Sequence, residues 1–353
     1  MTEVFVNALH VAVPSTPCHE LFKTFARRQV RDREAPLLER MMSRSGIEER
    51  YSVLTADGDG GSDRSLDDEN FYTFGEFPTT HRRMKRYRDG ASSLALKAVK
   101  GLQRDDLKDV THIVLCTCTG FSAPGLEHFL IEELGLADDV RSLTIGFMGC
   151  FAGVTSLRTA GDIVRSDPDA RVLVVAIELC TLHLQETSDL ESILSFALFG
   201  DGAAAAIVSS EPGLFRLDGF DTVRLSHSSD LITWDIGDQG FDMRLSGRVP
   251  GALKEGLSVA ADRVVPQREG VDLWAIHPGG KTILDAATSG LELEDDALDA
   301  SRSVLRDYGN MSSASIFFVL GEHMARRPTS GARGVGMAFG PGLTAECFSF
   351  AIC

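Results

Sequence analysis

No stretch of this sequence approaches the roughly 20 consecutive apolar residues that a membrane-spanning helix needs. The opening segment, MTEVFVNALHVAV, lacks a basic start followed by an apolar core and alternates as a strand does, so no secretory leader is expected and a cytoplasmic location is. Cysteine is too sparse for a disulfide framework: seven in 353 residues, an odd number without small-domain spacing, which fits a reducing compartment. Cys116 and Cys118 make one C-x-C pair inside THIVLCTCTG, where strand alternation accounts for both. No second ligand pair follows, so no zinc site is expected. Positive charge is in deficit, with 35 Lys and Arg against 51 Asp and Glu, and a net charge of −16 argues against a general nucleic-acid binder.

What is present is a large apolar fraction, 43%, on a chain long enough for two domains or two fused halves. The chain is organised around Ser142 to Val164, SLTIGFMGCFAGVTSLRTAGDIV. Leu143 to Met148 reads as a buried strand and Phe151 to Val164 as a helix, with Gly149-Cys150 at the turn. A sulfur at a helix N-terminus meets unpaired N–H groups and the positive end of the dipole, which lower a thiol's pKa. Upstream, residues 18 to 46 read as one or two helices carrying Arg40 and Arg44 on one face. Residues 56 to 71 form a Gly-rich acidic segment, expected to be a mobile loop. The basic cluster His81, Arg82, Arg83, Lys85 and Arg86 then opens a long helix, and against so acidic a background both basic groups could receive an anionic ligand.

From Thr111 onward strand and helix alternate, and the second half repeats the plan of the first. Thr117 to Cys150 is 150 − 117 = 33 residues and His277 to Asn310 is 310 − 277 = 33; Cys150 to Glu178 and Asn310 to Ala338 are both 28 (178 − 150, 338 − 310). Cys150 and Asn310 therefore occupy equivalent positions. If the halves pack about a pseudo-twofold axis, these two residues open paired central helices, and His277, at the carboxyl end of its strand, falls on the same side. Taken singly, His277 could be a core histidine and Asn310 a helix cap. Taken together, a thiol, an imidazole and a carboxamide in one pocket are the equipment for acyl transfer through a thioester.

The segments GFMGCFAG, IHPGGKTILD, YGNMSSAS and FGPGLTAE stand in an order and spacing that resembles the type III polyketide synthases, the chalcone and stilbene synthase superfamily. The resemblance runs from about residue 35 to the end and implies an α/β thiolase-like fold. Two duplicated αβαβα-type halves, 1–210 and 211–353, would set central helices between two mixed sheets. It implies a catalytic triad of Cys150, His277 and Asn310, with Phe199 as gatekeeper. It also implies a pocket formed by Thr119, Cys180, His183, Trp234, Met243 and Ser312, and coenzyme A contacts at Arg40, Arg44, Gly279, Gly280 and Lys281. Leu37 and Ala338 depart from the plant pattern, where a basic residue and a glycine are usual. Substrates would be an acyl-CoA starter and malonyl-CoA, with no other cofactor. The assembly would be a homodimer, with Ala123 standing where plant members place a residue that reaches the partner's cavity.

Trp234 falls where plant members typically carry glycine, and an indole there would occupy space used by an aromatic starter. Together with ELCTLHLQ and TWDIGDQGF, this resembles bacterial members that make alkylpyrones or alkylresorcinols from aliphatic acyl chains, and the starter expected from the resemblance is a medium or long fatty acyl group. Two alternatives stay open: an initiating 3-oxoacyl-[acyl-carrier-protein] synthase, and a non-catalytic acyl-CoA binding relative. The first usually carries an HQAN-type sequence at the histidine, where this chain has His277-Pro278-Gly279-Gly280; the intact triad speaks against the second.

Overall fold

A computed structural model describes residues 2–54, 65–225, 228–265 and 270–353. Its interior is made by the near-continuous apolar segments. Val172–Leu179 and Asp201–Ser209 are buried at every position, as strands covered by helices on both faces must be. Alternation persists inside these runs. Val114, Val174 and Ala206 point into one core, and Ile113, Val175 and Ile207 into another.

Edge to edge, the strands run Leu273–Ile276, Arg333–Gly340, Thr344–Ile352, Phe215–Arg224, Phe5–Ala12, Asp201–Ser209, Val172–Leu179, His112–Thr117 and Arg141–Gly146. The first four belong to the C-terminal half and the remaining five to the N-terminal half. They join through a short ladder, Phe5 opposite Arg216 and Val6 opposite Phe215, so the two expected mixed sheets are hydrogen-bonded into one continuous nine-stranded ladder. The duplication is visible in the pairing. His112–Thr117 runs parallel to Val172–Leu179, which is antiparallel to Asp201–Ser209. Leu273–Ile276 runs parallel to Arg333–Gly340, which is antiparallel to Thr344–Ile352.

Two helices, Ala152–Ser166 and Ser315–Ala325, fill the layer between the halves and share a core with the inward faces of both sets of strands. Gly153 is where the packing leaves no room for a side chain. A Cβ there would lie 2.3 Å from the Ser313 carbonyl oxygen and 2.8 Å from Ile316 Cγ2. Thr80–Lys100 covers the outer face of the N-terminal strands, and Val249–Val264 with Lys281–Gly290 covers that of the C-terminal strands. The result is the layering helix, sheet, helix, sheet, helix. Among the described residues no helix is long and apolar enough to cross a membrane.

Several expectations are corrected. The strand at 141–146 is an edge strand and not a buried one: only Ile145 is buried, while Leu143 is 47% and Met148 36% exposed. Its apolar content stands at the margin because it pairs on one side alone. The apolar segment GVGMAFGPG reads as the last strand of the chain, but a further strand, Thr344–Ile352, follows it. Residues 56–64 of the acidic segment lie outside the described residues. Residues 65–71 are well tied, with the buried Asp67 carboxylate accepting from the backbone N–H groups of Glu69, Phe71 and Tyr72 at 2.8–2.9 Å. In the basic cluster Arg83 is fully buried and donates to the carbonyls of Pro78, Leu182 and Leu184 and to the Tyr72 hydroxyl, so it cannot receive a ligand.

Candidate active site

The chain leaves the edge strand at Gly146 and enters the central helix at Ala152, and the turn between them holds Cys150. The turn needs glycine at 149 for two reasons. Its φ is +84°, and a Cβ would lie 2.1 Å from Pro341 Cδ, so the FGPG segment presses directly against it. The Gly149 N–H donates to Cys118 Sγ at 3.0 Å.

Asn310 follows Gly309, which has a φ of +69°. Its backbone N–H donates to the Leu198 carbonyl at 2.8 Å and its carbonyl accepts from the Gly200 N–H at 3.0 Å, a short parallel bridge that ties it beside Phe199. The side chain is oriented at both ends: Oδ1 accepts from the Ser312 N–H at 2.8 Å and Nδ2 donates to the Gly279 carbonyl at 3.3 Å. His277 continues the strand Leu273–Ile276, its N–H donating to the Met337 carbonyl at 2.8 Å. Both of its ring nitrogens are buried without a hydrogen-bond partner among the described residues.

Cys150, His277 and Asn310 line one cavity, together with Thr119, Cys180, His183, Phe199, Trp234, Met243, Ser312 and Gly279. Gly280 does not line it. Arg40, Arg44 and Lys281 are exposed outside it and make no hydrogen bond or ion pair through their side chains among the described residues. A Cβ at Gly46 would lie 3.8 Å from Lys281 Cδ, which puts the end of the Ala35–Ser43 helix beside the start of Lys281–Gly290. The remaining walls are mostly apolar residues that the sequence reading passed over, among them Phe22, Leu184, Phe196, Ile232, Leu245, Val249, Ile283 and Phe339. Two of these were within reach of strand alternation. Ile232 shares its face with Trp234, and Leu245 with Met243, in a hairpin where Trp234 is opposite Met243 and Ile232 opposite Leu245. Phe22 comes from a helix with no local link to the site.

The dryness of the cavity sets its electrostatics. Burial pushes the Cys150 thiol up to about 12, against hydrogen bonds from Ser312 and Asn310 that favour the thiolate. Burial also pushes the His277 imidazole down to about 3. The expected lowering of the thiol by the helix terminus is therefore outweighed by desolvation, and each group taken alone is neutral near pH 7. Behind Cys150 the fully buried Glu178 carboxyl accepts from the Cys118 N–H, the Thr119 hydroxyl and the Ser313 hydroxyl, and burial raises it to about 7. His183 is a structural tie. Its Nε2–H donates to the Thr119 carbonyl at 2.7 Å, its Nδ1 accepts from the Phe241 N–H at 3.1 Å, and burial holds it neutral.

Family models for the N-terminal and C-terminal domains of chalcone and stilbene synthases match residues 6–212 and 222–351. The chain belongs to that family, the type III polyketide synthases. The alpha-pyrone synthesis polyketide synthase-like Pks18 of Mycobacterium tuberculosis is 34% identical over 304 residues, 81% of this chain and 77% of that protein. Among solved structures, PKS-I from the brown alga Ectocarpus siliculosus has a TM-score of 0.88 at 27% identity, covering 100% of this chain and 99% of its own. The 1,3,6,8-tetrahydroxynaphthalene synthase of Streptomyces coelicolor A3(2) has a TM-score of 0.86 at 30% identity, covering 98% and 99%. The fold is thiolase-like. As a type III polyketide synthase the protein is an acyltransferase that joins acyl-CoA and malonyl-CoA by decarboxylative Claisen condensation.

Proposed function

We propose that this polyketide synthase loads an aliphatic acyl-CoA starter on Cys150, extends it with malonyl-CoA, and closes the chain to an alkylpyrone or alkylresorcinol. The observation that carries the starter assignment is the cavity wall. Trp234 is anchored by its Nε1–H to the Cys118 carbonyl at 2.9 Å, and the walls around it are almost entirely apolar. A flexible alkyl chain fits past such a fixed indole, whereas a rigid aromatic acid competes with it for volume.

In the proposed mechanism the Cys150 proton passes to a ring nitrogen of His277, whose lack of other partners among the described residues leaves it free to accept. The sulfur attacks the starter carbonyl, the bond to coenzyme A sulfur breaks, and the acyl group rests on Cys150 as a thioester while coenzyme A takes the proton back from His277 and leaves as its thiol. Malonyl-CoA then loses carbon dioxide. The electron pair left behind moves onto the thioester oxygen, where His277 N–H and the Asn310 amide donate. The resulting enolate carbon attacks the acyl thioester, releasing the Cys150 sulfur and forming a 3-oxoacyl-CoA two carbons longer. None of these steps calls for a cofactor beyond the coenzyme A thioesters. Free cations at Arg40, Arg44 and Lys281 support phosphate binding outside the cavity. Asn310→Ala removes one of the two donors and is expected to slow carbon dioxide release from malonyl-CoA about a hundredfold or more.

The test is mass spectrometry of products from straight-chain acyl-CoA starters and coumaroyl-CoA, each with malonyl-CoA. Cyclic alkyl products from the straight chains support the reading; a preference for coumaroyl-CoA overturns the starter assignment, and unchanged turnover in Cys150→Ala overturns the mechanism. A homodimer is part of the same reading. Leu143 on the edge strand, Met148 just after it and Phe121 packed beside Gly146 leave apolar surface exposed, and light scattering should report twice the 38.2 kDa chain mass.

A further inference from the structure

Arg50 is fully buried, and no carboxylate hydrogen-bonds its guanidinium among the described residues. Its Nη1 donates to the Phe199 carbonyl at 2.8 Å and the Phe196 carbonyl at 3.2 Å, and its Nε donates to His19 Nδ1 at 3.3 Å. Nη2 has no partner among the described residues, and the guanidinium lies 5.0 Å over the Phe22 ring. A permanent charge at this depth is costly, and an apolar side chain would fill the same volume more cheaply. Its surroundings give the reason for its presence. A Cβ at Gly309 would lie 2.8 Å from Arg50 Cγ, and one at Gly200 3.5 Å from Arg50 Cβ. The arginine stem is thus wedged beneath the crossing of two segments, 198–200 and 309–310, held together by the Asn310 N–H to Leu198 and Gly200 N–H to Asn310 hydrogen bonds.

We propose that Arg50 is a positioning residue: by fixing the Phe199 carbonyl it sets, through that two-bond crossing, where the Phe199 ring and the Asn310 carboxamide stand relative to Cys150. This rests on the roles assigned to Cys150 and Asn310 above. The consequence is selective. Starter loading needs the sulfur and takes from the carboxamide only one of the hydrogen bonds that favour the thiolate, whereas decarboxylation takes it as one of two donors to the developing charge, and displacement of a catalytic group by about 1 Å costs up to about a hundredfold. A residue that merely stabilised the fold would slow both steps alike.

The experiment uses the full chain with Arg50→Lys, which keeps the charge but cannot reproduce the forked donation. Acyl transfer from a starter acyl-CoA to Cys150 is followed by intact mass, carbon dioxide release from malonyl-CoA by trapping, and amide hydrogen exchange by peptide. The expected result is a fall in carbon dioxide release of about tenfold or more with loading changed less than about threefold, and faster exchange confined to peptides over 196–200 and 308–312. Equal falls in both steps, no change in either, or faster exchange throughout the sheet overturns the proposal. Should Arg50→Lys not fold, His19→Leu removes the Nε acceptor alone and must give the same split at smaller size; equal falls there overturn it too. If the unaltered protein neither loads Cys150 nor releases carbon dioxide, the catalytic reading fails instead, and the exchange pattern still judges Arg50.

Discussion

At the scale of single residues the site poses one problem: burial disfavours both charges that the thiolate mechanism needs. Cys150 is pushed up to about 12 and His277 down to about 3. In the mechanism proposed above, proton transfer between them would create an anion and a cation together, whose mutual attraction in a dry site is what neither has alone. An imidazolium beside the sulfur lowers the thiol pKa, so removing it must raise the pKa. His277→Ala is therefore expected to move the inflection of iodoacetamide alkylation at Cys150 to higher pH, and an unmoved inflection would separate the pair. Glu178 gives a second pH signature. An acid raised from 4.5 to about 7 on folding makes the native state less stable as pH rises through that interval, on the order of 3 kcal/mol in all. Glu178→Gln has no charge to bury, so its melting temperature relative to the unaltered protein should climb between pH 5 and pH 8. A constant difference would mean that Glu178 does not titrate there. The spacing of Cys150, His277 and Asn310 made their convergence legible in advance. Arg83 and Arg50 were not legible, because a buried arginine and a solvated one look alike in sequence until the carbonyls they serve are known.

At the scale of elements, the hairpin Ile232–Gly237 and Gly240–Leu245 acts as a fixed wall. Its tip is held where the Gly240 N–H donates to Thr80 Oγ1 at 2.8 Å and the Thr80 N–H donates to the Asp238 carbonyl at 2.8 Å. Its middle is held by the Phe241 N–H on His183 and the Trp234 indole on Cys118. The Trp234 ring sits among Phe147, His183 and Phe241. Trp234→Gly removes a large side chain from a wall that cannot collapse, so the variant should lose about 3 kcal/mol or more of stability and gain turnover with aromatic acyl-CoA starters. Thermal melts and product analysis check the two halves of that statement; lost stability without new starters would mean the indole does not limit the cavity. Alternation could place Trp234 on a strand face, but Thr80 lies 154 positions away (234 − 80) and no local pattern announces it. The edge strand misled for a related reason. Leu143 to Met148 is apolar enough for a sheet interior, and composition does not reveal how many neighbours a strand has.

At the scale of the whole molecule, the matched offsets of 33 and 28 residues anticipated a duplicated topology, because equivalent positions in repeated units keep their separations even where the side chains differ. What they could not show is how tightly the halves meet. The first central helix meets the second at Gly153, three residues after Cys150, against Ile316 and against Ser313 in the turn that leads into the second helix, three residues after Asn310. A side chain there must displace one of these two segments, and each carries a residue of the cavity close by, Cys150 on one and Asn310 on the other. A methyl at 153 would meet the Ser313 carbonyl at 2.3 Å, so Gly153→Ala should lower the melting temperature and carbon dioxide release together. Gly321, on the other central helix, is the control. A Cβ there meets nothing within 4 Å, and replacing an interior helical glycine by alanine favours the helix by about 0.5–1 kcal/mol, so Gly321→Ala should keep activity and melt at the same temperature or higher. If Gly153→Ala were as well tolerated as Gly321→Ala, the separation of the two halves would not govern the chemistry between them.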